Sequence, residues 1–195
     1  MARRFALAGH EVVIGSRKAE RAQAVAASYE GVQGGSNAEA AAAELVVVTV
    51  PYEGHAELLR SVATELAGKI VVDCVNPLGF DAHGPFPLRV AAGSAAEEAQ
   101  QLLPASTVIG AFHHLSAARL DDPDVDRVDD DVLVLGEDRA AVRTVCELAG
   151  AIPGARGVYA GRLRNAGQIE ALAANLIAIN RRYQVHAGIK ITDLQ

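Results

Sequence analysis

Gly9-His10-Glu11-Val12-Val13-Ile14-Gly15-Ser16-Arg17-Lys18 is the stretch that decides the fold. Its three consecutive β-branched residues suit a strand buried on both faces. Gly15-Ser16-Arg17 then turns into an alanine-rich helical run from Lys18 to Glu30, ended near Gly31. A strand ending in a small polar turn at a helix start reads as the second strand of a Rossmann unit, where the chain meets an adenosine ribose. In that fold a first strand and a G-x-G-x-x-G loop come earlier. Here Met1, Phe5 and Ala8 repeat at helical spacing ahead of Gly9, so this opening reads as the back half of the first helix. The expectation is a domain without its first strand and glycine loop.

Downstream, short apolar runs alternate with helical stretches. Strands are predicted over Leu45–Val50, Ile70–Val75, Thr107–Phe112, Val132–Leu135 and Gly157–Ala160. Helices are predicted over Glu53–Leu66, Ala95–Leu103 and Arg139–Leu148, with Ser36-Asn37 capping a shorter one through Glu44. The Gly-, Pro- and His-rich segment up to Pro87 reads as a loop. This alternation predicts an α/β fold, a Rossmann-type doubly wound parallel sheet that is N-terminally incomplete. Arg162 to Tyr183 reads as one long helix carrying Ile169, Leu172, Leu176, Ile177 and Ile179. Residues 1–160 are thus expected to form the nucleotide-binding domain, and 161–195 a helical C-terminal segment that covers the substrate, forms a homodimer, or both.

The 195 residues are 50% hydrophobic with charges well mixed, which excludes a disordered chain and predicts a soluble one. A net charge of −6 argues against nucleic acid and membrane surfaces as partners. No run approaches the ~18 apolar residues of a membrane helix. Cys74 and Cys146 lie far apart and no secretory leader is visible, so a reducing cytoplasm is expected.

In a Rossmann domain a carboxylate at the end of the second strand selects NAD by holding the ribose 2′-hydroxyl. This chain offers Ser16, Arg17 and Lys18 there, with Arg21 one helical turn on. A hydroxyl and guanidinium at a helix start suit a 2′-phosphate, so NADP(H) is the expected cofactor. Ligands of open parallel sheets sit beyond the carboxyl ends of the strands. That directs attention to Thr49-Val50-Pro51-Tyr52 and to Cys74-Val75-Asn76-Pro77. His113 and His114 follow a strand in the same way; neighbouring residues on an extended segment point to opposite sides and chelate one metal poorly. Each is equally readable as an acid–base group or a structural histidine. The acidic run Asp121–Asp131 mimics a calcium loop but has Arg127 at the glycine position and Leu133 at the bidentate one, so it reads as a solvated loop. No metal is expected.

With these residues in place, the chain resembles the NADP-dependent coenzyme F420 oxidoreductases. The likeness rests on Gly9 to Arg17, Thr49-Val50-Pro51-Tyr52, His113 to Arg119, Leu163-Arg164-Asn165 before Gln168-Ile169-Glu170, and Gly188-Ile189-Lys190-Ile191. It implies hydride transfer between NADPH and the deazaflavin coenzyme F420 as co-substrate. It further implies that Ser16, Arg17 and Arg21 hold the 2′-phosphate and that Val50 and Pro51 line the ribose and diphosphate. His113, Leu115 and Ala117 would border the two rings, with His113 and Leu115 as positioning candidates, and Gly188 and Ile189 would belong to a tail over the deazaflavin. No catalytic acid, base or nucleophile is required, because hydride transfer between stacked rings is chiefly positioning. Two alternatives stand beside this: an NADPH-dependent reductase of another small acceptor, and a nucleotide-binding remnant without catalysis.

Overall fold

The computed structural model describes residues 1–194. It opens with helix α1 (Ala2–Leu7), which Gly9 stops at φ +89°. Phe5 is buried, as the spacing predicts. So is Arg4, whose guanidinium donates to the carbonyls of Arg119, Leu120, Asp122 and Val125 at 2.6–3.2 Å. A buried cation is tolerated here because four fixed dipoles replace its water.

Strand β1 (Val12–Ser16), helix α2 (Ala19–Ala26) and strand β2 (Val32–Ser36) form a strand–helix–strand unit with the two strands parallel. β2 was not expected from the sequence; Gly34 and Gly35 interrupt its apolar pattern. Gly34 is required there, because a methyl group would overlap the backbone of Ala22 and Gln23 in α2. Helix α3 (Asn37–Ala41) starts with a reciprocal capping box: Ser36 Oγ accepts from Glu39 N, and the Glu39 carboxylate accepts from Ser36 N.

The main sheet is built from β3 (Leu45–Val48) and β4 (Ile70–Asp73). Between them run helices α4 (His55–Ser61) and α5 (Ala63–Leu66). The predicted single helix over this stretch breaks at Val62, which leaves the helical region at φ −124°. The predicted loop before Pro87 contains an antiparallel hairpin, β5 (Leu78–Asp81) and β6 (Gly84–Pro87). Asp81 Oδ1 accepts from His83 N and Gly84 N to close its turn. Then come α6 (Ala95–Leu102), β7 (Thr107–Gly110), α7 (Ala117–Asp121), β8 (Asp131–Leu135), α8 (Arg139–Gly150), β9 (Arg156–Gly161) and α9 (Ala166–Tyr183). The order is β3-β4-β7-β8-β9; β3, β4 and β7 are parallel, while β8 meets β7 antiparallel and carries β9 parallel to itself.

Alternation along the strands sends adjacent residues into two different cores. Val71 and Val108 pack with Leu59, Leu66 and Leu103 on one face, while Val72 and Ile109 pack with Phe5, Val142 and Val145 on the other. Helices therefore cover both faces, as a doubly wound sheet requires. β1 departs from its expected full burial: Val13 is 36% exposed and the strand shows one face to solvent. Its hydrogen-bond pairing is incomplete as well. Among the described residues β1 pairs only with β2, and β3 only with β4, so each keeps one unpaired edge. A Rossmann sheet carries a strand at this point between its two halves. No helix among the described residues is long and apolar enough to cross a membrane.

Candidate functional site

The exits of β3 and β4 build a cleft. Beyond β3, Pro51 opens a 3-10 turn over Tyr52–Gly54 that leads into α4. Beyond β4, Asn76 and buried Pro77 lead into the hairpin. Between these walls lies a space of about 610 Å³, lined by Pro51, Tyr52 and Glu53 on one side and by Asn76, Leu78, Phe80 and Leu88 on the other. Size and lining match a small-molecule site, mostly apolar with a few polar groups. Asn76 is one of these: its Nδ2 donates to His113 O at 2.8 Å, while Oδ1 is buried without a partner. Such an orphaned acceptor fits a ligand N–H or O–H. Thr49 is exposed and Val50 half-buried beside this exit. Phe80 and Leu88 are not evident from the sequence; the prolines of Pro85-Phe86-Pro87 disguise the hairpin that carries Phe80 and leads into Leu88.

The basic turn lies at the end of β1. Ser16 Oγ accepts from Lys18 N at 3.3 Å, which leaves its own proton free to donate. Arg17, Lys18 and Arg21 are exposed, and none forms an ion pair within the described residues, although Glu20 shares the first turn of α2. Three uncommitted cations and a free hydroxyl proton make a donor set that fits a 2′-phosphate.

The histidine loop is more structural than its exposure to a ligand would require. His113 is 4% exposed and both ring nitrogens lack partners. Burial, only partly offset by Asp73, pushes its pKa down to about 4, so the ring is neutral. His114 Nε2 lies 2.8 Å from Asp131 O and burial lowers its pKa as well. Leu115 is half-buried and Ala117 exposed at the start of α7. The C-terminal tail passes close by: His186 Nδ1 is 3.3 Å from Ser116 Oγ, and Ile189 O accepts from Asp131 N at 2.8 Å. Gly188 lies against Asp130, with no room for a side chain.

The end of the acidic run is therefore not the solvated loop its composition implied. Asp130 and Asp131 are buried, and Asp131 receives Arg156 bidentately at 3.0 and 2.8 Å and Ile191 N at 2.7 Å. Lys190 is engaged too, 3.1 Å from Asp129.

Beneath the cleft lies a buried cluster that the sequence did not reveal. His55 Nε2 is 2.6 Å from Asp73 Oδ2, and His55 Nδ1 is 3.5 Å from Glu98 Oε2. Burial opposes the imidazolium, but Asp73 and Glu98 outweigh it and raise the His55 pKa. Glu170 of α9 accepts from Ala95 N and Ala96 N at 2.9 and 3.1 Å, satisfying the first amides of α6.

A doubly wound sheet with a basic turn at one strand end and an apolar cleft beyond two others has the architecture of a Rossmann-type domain. A family model described as "NADP oxidoreductase coenzyme F420-dependent" matches residues 1–77. The F420-dependent NADP reductase of Methanothermobacter thermautotrophicus is 37% identical over 208 residues, covering 100% of this chain and 89% of the relative. That of Methanocaldococcus jannaschii is 36% identical over 201 residues, covering 95% and 89%. A crystal structure assigned as an F420-dependent NADP reductase from Arthrobacter sp. FB24 superposes with a TM-score of 0.85 at 29% identity, covering 98% of this chain and 93% of that one. The chain belongs to the F420-dependent NADP oxidoreductase family. An imine reductase from Streptomyces aurantiacus, at 21% identity and TM-score 0.60 over 93% of this chain and 56% of its own, shares the fold.

Proposed function

We propose that this protein transfers a hydride between NADPH and coenzyme F420. The observation that carries the proposal is the pairing of an uncommitted cationic turn at Ser16–Arg21 with an apolar cleft of about 610 Å³ beyond β3 and β4. Membership of a family whose relatives bear the F420-dependent NADP reductase name supports it further. When both coenzymes are bound, they supply the donor and acceptor carbons, and the chemistry is theirs.

What the chain contributes is placement. Ser16 donates from its hydroxyl and Arg17, Lys18 and Arg21 supply positive charge to the 2′-phosphate. Thr49, Val50 and Pro51 flank the cofactor on one wall, and Asn76 and Pro77 on the other. Tyr52, Phe80 and Leu88 give apolar surface that excludes water from the rings. Neutral His113 acts as packing behind the cleft, its backbone carbonyl fixing Asn76 Nδ2. Leu115, Ala117 and the Gly188–Ile189 tail close the far side.

The wider organisation follows. Residues 1–160 hold NADP, and residues 161–195 cover the acceptor and form a homodimer. Support for the dimer lies in α9, whose buried stripe is Ala166, Glu170, Ala173, Ala174 and Leu176, while Ile179 and Tyr183 on it, and Val185 just beyond it, stay 39–69% exposed. Two free cysteines, Cys74 and Cys146, accord with a cytoplasmic location. The assay mixes purified protein with NADPH and F420 and follows the visible band of the oxidised deazaflavin. Loss of the band in step with NADPH oxidation supports the reading. NADPH oxidation by another acceptor with the band unchanged overturns it.

A further inference from the structure

Two buried polar side chains lie beneath the cleft, where packing alone favours apolar ones. His55 and Asp73 are both 0% exposed and approach to 2.6 Å. Each belongs to a different wall. His55 opens α4, three residues after Tyr52; Asp73 closes β4, three residues before Asn76.

Each is also tied into its own surroundings. Asp73 Oδ1 accepts from Val75 N at 3.1 Å, and its backbone carbonyl accepts from Ala111 N at 3.0 Å, so one residue fixes the exits of both β4 and β7. His55 turns its second nitrogen toward Glu98 on α6. Glu98 and Glu170 face the pair from α6 and α9, Tyr52 flanks it with ring centroids 6.2 Å from His55, and neutral His113 approaches from the β7 side. Replacing a buried polar or ionic pair with apolar groups of equal volume is commonly neutral or stabilising, so stability alone gives no reason for this one. What a hydrogen-bonded pair supplies, and an apolar contact does not, is a fixed distance and direction.

We propose that His55 and Asp73 are a positioning pair that sets the separation of the Tyr52 and Asn76 walls. On the reading of the cleft as the acceptor site, on which this consequence rests, the pair also sets the affinity for the deazaflavin ring. Neither side chain touches a ligand; both act through the walls they anchor.

Three variants separate the contributions. Asp73→Asn keeps shape and the Val75 acceptor but removes charge. His55→Gln keeps a donor toward Asp73. His55→Leu removes it. The first readout needs no ligand: hydrogen exchange followed by mass spectrometry on the free protein. Peptides covering 50–54 and 74–78 should exchange at least about tenfold faster in Asp73→Asn and His55→Leu, with His55→Gln intermediate and peptides of α8 within about twofold. The second readout is binding: the F420 Kd should rise at least about tenfold, and the NADPH Kd should rise with it, because Pro51 and Asn76 flank both coenzymes. Unchanged exchange in both walls of a folded Asp73→Asn protein overturns the proposal. So does faster exchange throughout the chain, or failure of all three variants to fold, since the pair is then merely structural. If the walls respond but the unmodified protein binds no F420, the acceptor reading falls and the positioning pair stands.

Discussion

Replacing Glu170 with Gln should remove a pH dependence of stability that the fold itself creates. Glu170 is 2% exposed, and burial raises its pKa from an ordinary 4.5 to about 7; the amides of Ala95 and Ala96 and the charge of His55 oppose the rise, and Asp73 adds to it. The sign follows from proton binding. Between those values the unfolded chain has lost the proton and the folded chain keeps it, so stability falls as pH rises. The shift corresponds to about 3 kcal/mol across the window, at about 1.36 kcal/mol per unit. Glu170→Gln is neutral throughout and lacks this slope. It also leaves one of the two α6 amides without its acceptor, a cost of about 1–3 kcal/mol that does not vary with pH. Urea unfolding of both proteins at about pH 4.5 and about pH 7.5 isolates the slope from that constant. The variant should gain about 3 kcal/mol relative to the unmodified protein between the two conditions. A stability difference that stays constant within about 0.5 kcal/mol refutes the argument that burial dominates at Glu170.

Other outcomes follow from the same geometry. Arg17→Asp should weaken NADPH binding at least about tenfold and leave NADH binding within about twofold, measured by fluorescence titration; equal losses undercut the 2′-phosphate assignment. Gly34→Ala should destabilise by about 1–3 kcal/mol in chemical denaturation, because backbone rather than a flexible side chain stands where the methyl would go. In β1 and β3, amides on the unpaired edges should exchange at least about tenfold faster than those of β4 and β7, which are paired on both sides; uniform protection across all four contradicts the split sheet.

Much of the scaffold was legible because local chemistry and tertiary need agree there. Leu45–Val48 and residues 70–72 are continuous apolar runs, as strands covered by helices on both faces require. The Ser36–Glu39 box is a purely local bond pattern, readable at four residues' range. β2 was hidden for a physical reason: Gly34 is demanded by close approach of α2, and the sequence shows the glycine without the helix against it. Asp130 and Asp131 looked solvated since acidic runs usually are; what buries Asp131 is Arg156, 25 residues away. His55 and Asp73 are 18 residues apart with no motif to link them. Their meeting depends on how α4 returns to β4, and that is information only the fold contains. The basic turn was readable because it depends on residue type at one strand end, while the cleft walls at Phe80 and Leu88 depend on the hairpin.

The central claim, direct hydride transfer between the two coenzymes, is tested most directly with NADPH deuterated on the transferable C4 position. The account predicts deuterium in the reduced deazaflavin by mass spectrometry after a single turnover, with none gained when the label is supplied only in solvent at the same carbon. Reduced deazaflavin that carries only solvent-derived hydrogen, or NADPH consumption with the deazaflavin left oxidised, contradicts it.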